Sequence, residues 1–260
     1  MNAIRAENNL LEKVIEIAKS AGDLIMKIYQ EKIDITHKGD GSPVTLADEM
    51  ANAYILQKLP DLLPGVFIVS EESVDSQVDF QECEHFWLVD PLDGTKEFIS
   101  KNGQFTVNIA LIEKGLPILG VVYAPALGCL YAGDKTSAFT ESLGNRVPIS
   151  CRTVPDEGLT VVGSRSHGDD QALNALLDGK VVHKIIPIGS SLKLCLVAAG
   201  KADLYPRLGR TMEWDIAAGH AILLAAGGVI NDLNGQPLGY GKPGLDNPHF
   251  VASPRPQAVI

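Results

Sequence analysis

Asp90-Pro91-Leu92-Asp93-Gly94-Thr95 is the stretch best suited to chemistry, because the apolar run Phe86-Trp87-Leu88-Val89 ends abruptly in two acids. Carboxylates buried without partners are costly, and a cation is a common remedy. Pro91 removes a backbone donor and stiffens the turn, and Gly94 permits close backbone approach. A helix starting after Gly94 would aim its free N–H groups at the same point, where they could hold a phosphate. Other acids stand at comparable places. Val66–Ser70 runs into Glu71 and Glu72, Trp214-Asp215 opens a helical stretch ending near Gly227-Gly228, and Asp48 falls in the first turn of another helix. Hard oxygen ligands suit Mg²⁺ rather than zinc or copper. Several of them around two cations would clamp a phosphoryl group during its transfer to water. Taken singly, each acid has a plainer reading: Asp48 and Asp215 as helix-start residues favoured by the macrodipole, Glu71 and Glu72 as solvated loop charges. The Asp-Pro-Leu-Asp-Gly-Thr string outweighs it.

These residues need elements to position them. Leu10 to Tyr29 places Leu10, Leu11, Val14, Ile17, Ala18, Ala21, Leu24, Ile25 and Ile28 on one helical stripe. After a turn-rich loop, Lys38–Pro43, Thr45 is a plausible N-cap with Asp48 three residues on, opening a second helix to about Leu59. Extended runs follow at Val66–Ser70, Phe86–Asp90, Thr106–Ile112, Ile118–Ala124 and Ser137–Thr140, with antiparallel pairing suggested by the alternation in Thr106–Ile112. Between Thr140 and Leu159 the chain is polar and turn-rich, and a lobe boundary is expected near there. Beyond it, strand-like Leu159–Ser164, Val181–Pro187, Asp203–Pro206 and Gly228–Asp232 alternate with helical Asp170–Leu177, Ser191–Ala199 and Asp215–Ala226. That rhythm marks α/β layering.

Composition sets the outer limits. The chain has 260 residues, 45% hydrophobic and 21% charged, enough for a substantial core and unlike a disordered segment. With 22 Lys+Arg against 32 Asp+Glu, broad binding to nucleic acid or to anionic membranes is disfavoured, although a local basic pocket is compatible. Cys83, Cys129, Cys151 and Cys195 form no CxxC pair and no zinc spacing, so they read as buried free thiols in a reducing compartment. Neither a signal peptide nor a spanning apolar stretch is evident. A cytoplasmic protein is expected, with a peripheral station at the inner face of the cell membrane left open.

The motifs resemble the inositol monophosphatase superfamily of Mg²⁺-dependent, Li⁺-sensitive phosphatases over nearly the whole length. Phe86–Phe98 matches the first signature and Trp214–Gly219, with Gly227-Gly228, the second; Pro43–Asp48 and Ser70-Glu71-Glu72 complete the pattern. The resemblance implies an α+β / α/β fold, a layered αβαβα sandwich with the site between two halves. A lobe over residues 1–140 would carry most metal ligands, and one over 141–260 the substrate-binding residues and Asp215. It implies about two or three Mg²⁺ ions per site. Glu71, Asp90 and the Leu92 carbonyl would hold one ion, and Asp90, Asp93 and Asp215 a second. The Thr95 hydroxyl, backed by Asp48, would orient and deprotonate the attacking water, so that Asp48, Thr95 and Glu71 form the catalytic set. Gly94 and Thr95 N–H groups would bind phosphate oxygens, with Asp93 and Asp215 also beside the substrate.

Four local features resemble more narrowly the bacterial 3′(2′),5′-bisphosphate nucleotidases. These are Lys96-Glu97-Phe98 after Gly94-Thr95; Ser164-Arg165-Ser166-His167, where Ser164 and His167 would meet substrate; Gly189-Ser190-Ser191-Leu192-Lys193; and Tyr205-Pro206-Arg207-Leu208-Gly209. Lys193, His167 and Arg207 would make the pocket cationic, which suits a second phosphate, held bidentately by arginine and as a point charge by lysine. The plainer readings put Lys193 in solvent and pair Arg207 with Glu213 or Asp203 on the surface. Trp87 and Trp214 read as core aromatics beside the site. The expected reaction is hydrolysis of adenosine 3′,5′-bisphosphate to AMP and phosphate, with the 5′-phosphosulfate analogue as a related substrate linking the chain to sulfate assimilation. The alternative is an inositol-1-phosphate or sugar-phosphate phosphatase on the same metal core. A catalytically dead regulator would have a broken ligand set, and this set is complete. A small phosphorylated nucleotide is the expected partner, with no nucleic acid and no integral membrane segment, in a monomer or homodimer.

Overall fold

A computed structural model describes residues 9–31, 35–37, 43–73, 83–164 and 170–255. Its first helix, α1 (Leu10–Tyr29), buries Leu10, Val14, Ile17, Ala18, Ala21 and Ile25 of the expected stripe, with Leu11, Leu24 and Ile28 only partly buried. A short antiparallel pair, β1 (Ile35–His37) and β2 (Pro43–Thr45), leads into α2 (Leu46–Leu62). Thr45 and Asp48 close a capping box at its start. α2 runs past the expected stop at Leu59 and carries Pro60 in its last turn, where little of the hydrogen-bond ladder remains to be lost.

Seven strands then form one sheet in sequence order: β3 (Phe67–Ser70), β4 (His85–Asp93), β5 (Thr106–Glu113), β6 (Leu116–Ala124), β7 (Cys129–Asp134), β8 (Ala138–Ser142) and β9 (Asn145–Pro148). Only β3 and β4 are parallel; the rest is a meander, as the alternation in β5 suggested. β7 and β9 were not expected, and the sheet continues to Pro148, inside the Thr140–Leu159 stretch read as polar and turn-rich. Alternate residues separate the two cores. Trp87, Val89, Ile109 and Leu111 pack toward α1 and α2, while Phe86, Leu88, Ala110 and Ile112 pack on the opposite side.

That opposite side is covered by α5 (Leu192–Ala198) and α6 (Glu213–Ala225). α6 sits on β6 so closely that a Cβ at Gly120 would lie 2.2 Å from the Ala218 carbonyl oxygen, and any side chain there would push the helix off. Beyond these helices lie β10 (Leu159–Ser164) parallel to β11 (Val182–Ile188), and β12 (Tyr205–Arg207), β14 (Phe250–Pro254) and β13 (Gly228–Asp232). A parallel bridge between Val161 and Leu204 connects the two groups. The outer helix α4 (Asp170–Leu177) contributes Leu173 and Leu177 against Val161 and Leu204. With the five-residue α3 (Thr95–Ile99) at the end of β4, the layers are helix, sheet, helix, sheet, helix, as expected. All four cysteines are free, but only Cys195 is fully buried; Cys83, Cys129 and Cys151 are partly exposed.

Candidate active site

The acids gather because four element ends meet. β4 carries one extra residue relative to β5 between Asp90, opposite Asn108, and Asp93, opposite Thr106. This bulge bends the strand where Pro91 has no N–H to give the ladder. The chain then turns through Gly94, in the left-handed region at φ 90°, into α3. The Glu71–Ser73 turn at the end of β3, the first turn of α2 and the first turn of α6 supply the other acids. Carboxylate oxygens of Glu71, Asp90 and Asp215 lie within 4.8 Å of one another.

Hydrogen bonds hold the carboxylates in a repeated pattern. Asp48 Oδ2 accepts from the Thr45 N–H at 2.8 Å and the Thr45 hydroxyl at 2.6 Å, while its Oδ1 lies 3.3 Å from Thr95 Oγ1. Asp90 Oδ1 accepts from the Leu92 N–H at 3.1 Å. Asp93 Oδ2 accepts from Ser191 Oγ at 2.7 Å and from Asn108 Nδ2 at 3.5 Å. Asp215 Oδ2 accepts from Thr211 Oγ1 at 2.7 Å and from the Met212 N–H at 2.9 Å. Among the described residues, the second oxygens of Asp90, Asp93 and Asp215 have no donor. Burial raises the pKa of Asp90 and of Asp215, and neighbouring carboxylates raise both further. An all-oxygen donor set with like charges forced together in a low-dielectric place fits a hard divalent cation. Asp48 and Asp215 are therefore helix-start residues and members of the cluster at once.

A cleft of about 680 Å³ opens at this cluster, and its lining includes acidic and phosphate-motif residues, Asp93, Gly94, Thr95 and Asp215, together with Ser164, Gly189, Lys193 and Arg207. Lys193 does not face solvent: it is 6% exposed, and its Nζ donates to the carbonyls of Ser190 and Ile188 and lies 5.5 Å from the centre of the Tyr205 ring. Burial lowers its pKa to about 8, against the opposing pull of Asp93. Arg207 has neither surface partner that sequence offered, because Glu213 binds Lys242 and Asp203 binds Arg152. One terminal nitrogen of Arg207 donates to the Arg210 carbonyl, and its buried Nε has no partner among the described residues. Arg210, tied to Asp246, stands at the same cleft. His167 lies outside the described residues. Trp87 is core; Trp214 is nearly buried and lines the cleft.

A profile of the inositol monophosphatase family matches residues 7–258. The chain belongs to the inositol monophosphatase family. Among curated members of this family, it is 47% identical to the 3′(2′),5′-bisphosphate nucleotidase CysQ of Escherichia coli K12, over 94% of this chain and 99% of the relative. It is 37% identical to the CysQ nucleotidase of Aggregatibacter actinomycetemcomitans, over 94% of this chain and 92% of that one. The crystal structure of CysQ from Bacteroides thetaiotaomicron superposes with a TM-score of 0.83 at 35% identity, covering 98% of this chain and all of the other. An IMPase of Thermotoga maritima gives 0.76 at 28% identity, over 94% and 91% of the two chains. Against the family pattern, sequence reasoning left out Ser191, Asn108 and Thr211. Thr211 had a signal, a hydroxyl just before a helix start. Ser191 lay inside a quoted segment in which only Lys193 drew weight, and Asn108 is one polar residue in an apolar strand, with no signal of its own.

Proposed function

We propose that this chain is a metal-dependent phosphomonoesterase, a 3′(2′),5′-bisphosphate nucleotidase that hydrolyses adenosine 3′,5′-bisphosphate to AMP and phosphate. What carries the reading is a carboxylate cluster and a buried, partly unpartnered cationic wall facing one cleft, in a chain nearly half identical to nucleotidases of that type. The metal is Mg²⁺, about two or three ions per site. Glu71, Asp90 and the Leu92 carbonyl would hold one ion, and Asp90, Asp93 and Asp215 would hold the next. When bound, Mg²⁺ supplies charge neutralisation for the phosphoryl oxygens and the departing ribose oxygen.

The protein's own residues do the rest. Thr95 Oγ1, between Asp48 Oδ1 and the Leu92 carbonyl at 3.3 and 3.4 Å, orients the attacking water, and Asp48 takes its proton through the threonine hydroxyl. The new bond joins the water oxygen to phosphorus. The bond from phosphorus to the ribose 3′ oxygen breaks, and that oxygen takes a proton as AMP leaves. Gly94 and Thr95 N–H groups hold the phosphoryl oxygens, Ser164 and Gly189 line the nucleotide's path, and the resemblance gives His167 a substrate contact as well. Lys193 and Arg207 take the second phosphate. The first half of the chain thus supplies most metal ligands and the Gly94 and Thr95 phosphate contacts, and the second supplies Asp215 and the remaining substrate contacts. No helix of the described residues is long and apolar enough to cross a membrane. The test is phosphate release with Mg²⁺ from adenosine 3′,5′-bisphosphate and from inositol-1-phosphate, compared as kcat/KM. Preference for the nucleotide is expected; preference for the inositol phosphate would keep the metal site and overturn the substrate.

A further inference from the structure

We infer that Ser191, together with Asn108, is a positioning residue for metal binding, a lock that fixes the Asp93 carboxylate against the first turn of α6. This rests on the metal-centre reading above and deepens it. Ser191 Oγ accepts from Asn108 Nδ2 at 2.8 Å and faces two acceptors, Asp93 Oδ2 at 2.7 Å and the Asp215 carbonyl at 2.5 Å. A hydroxyl has one hydrogen and two lone pairs, so one lone pair takes the Asn108 amide and the single hydrogen is shared between the two acceptors. One side chain thereby ties together β4, β5, the start of α5 and the start of α6, which carry Asp93, Asn108, Ser191 and Asp215.

Three observations separate a lock from simple interior packing. The bond goes to one oxygen of Asp93, a residue that lines the cleft, much as Thr45 bonds one oxygen of Asp48 and Thr211 bonds one oxygen of Asp215. Asn108 is 1% exposed, and its Oδ1 has no partner among the described residues, an unfavourable state that its Nδ2 duties to Ser191 and Asp93 explain. The segment before Ser191 is itself held. Gly189 N–H donates to Gln104 Oε1 at 2.8 Å, and Ser190 adopts a left-handed φ of 51°, which a non-glycine residue takes up only when its surroundings demand it.

Residues that orient metal ligands typically change metal affinity by about 10- to 100-fold when removed. The experiment is calorimetric titration of Mg²⁺, without substrate, into the wild type, Ser191→Ala, Asn108→Ala and the double variant, with KM measured separately at saturating Mg²⁺. Each single variant is expected to bind Mg²⁺ at least about tenfold more weakly with KM within about twofold. The double variant should lose little more than the worse single, because a lock fails as a unit. Wild-type Mg²⁺ affinity in a folded Ser191→Ala protein, or losses that simply add, would overturn the lock. Should Ser191→Ala lose its near-ultraviolet circular dichroism, Asn108→Ala decides alone on the same criterion. A chain inactive on adenosine 3′,5′-bisphosphate whose variants still lose Mg²⁺ affinity would sink the nucleotide reading and leave the lock standing.

Discussion

The two walls of the cleft are built on opposite plans. On the acidic side, Asp93 and Asp215 at the cleft and the buried Asp48 and Asp90 each have at least one oxygen held by a hydroxyl, an amide or a backbone N–H, so their geometry is set before any cation arrives. On the basic wall, Lys193 leans on carbonyls and an aromatic ring, and Arg207 keeps a buried Nε without a partner among the described residues. Preorganised carboxylates suit a fixed reaction, because charge stabilisation works best when nothing has to reorient. Cations that donate to backbone carbonyls and form no ion pair of their own among the described residues are poised for an anion that arrives with the substrate.

The contrast breaks most severely at Asp93. Asp93→Asn is expected to lower kcat by on the order of 10³-fold at every Mg²⁺ concentration, since a metal site loses a charged ligand, while the thermal midpoint stays within a few degrees. Near-wild-type turnover at saturating Mg²⁺ would remove Asp93 from the ligand set. A gentler break leaves the ligands and removes a donor behind one of them. Thr211→Val, close in shape, should raise the Mg²⁺ concentration for half-maximal rate by about 10- to 100-fold, and an unchanged Mg²⁺ dependence would make the Thr211 bond to Asp215 incidental.

How much of this was legible in the sequence follows the same divide. The acidic wall announced itself locally: Asp90 and Asp93 at the end of an apolar run, and Asp48 and Asp215 at helix starts. Local pattern also marked α1, α2 and α6. Strand β9 left no burial pattern to read, because all four of its residues are exposed. β14 is five residues long, ends in Pro254 and owes its place to pairing with β12 and β13. Ser191 and Asn108 meet Asp93 only through the fold, and hydrogen bonds between distant segments have no sequence period. The basic wall was legible as residue types, but its decisive property, the burial of Lys193, depends on how α5 packs.

That burial yields the smallest predicted effect, one of pH. With its pKa lowered to about 8, Lys193 is charged in the free enzyme below that pH and loses its charge above it. Because kcat/KM reports groups of the free enzyme, kcat/KM for adenosine 3′,5′-bisphosphate should fall as pH rises through about 8. Lys193→Arg, which stays protonated, should extend the plateau upward; an identical alkaline limb in that variant would assign the limb to another group.

The most direct test of the division between the walls is kcat/KM for adenosine 3′,5′-bisphosphate and for adenosine 3′-monophosphate in the wild type and in Lys193→Met. A charge-assisted hydrogen bond contributes about 1.5–3 kcal/mol, so the bisphosphate should lose about 10- to 100-fold while the monophosphate changes by less than about threefold. Equal losses on both substrates would place Lys193 in the catalytic machinery and contradict the assignment of the basic wall to the second phosphate.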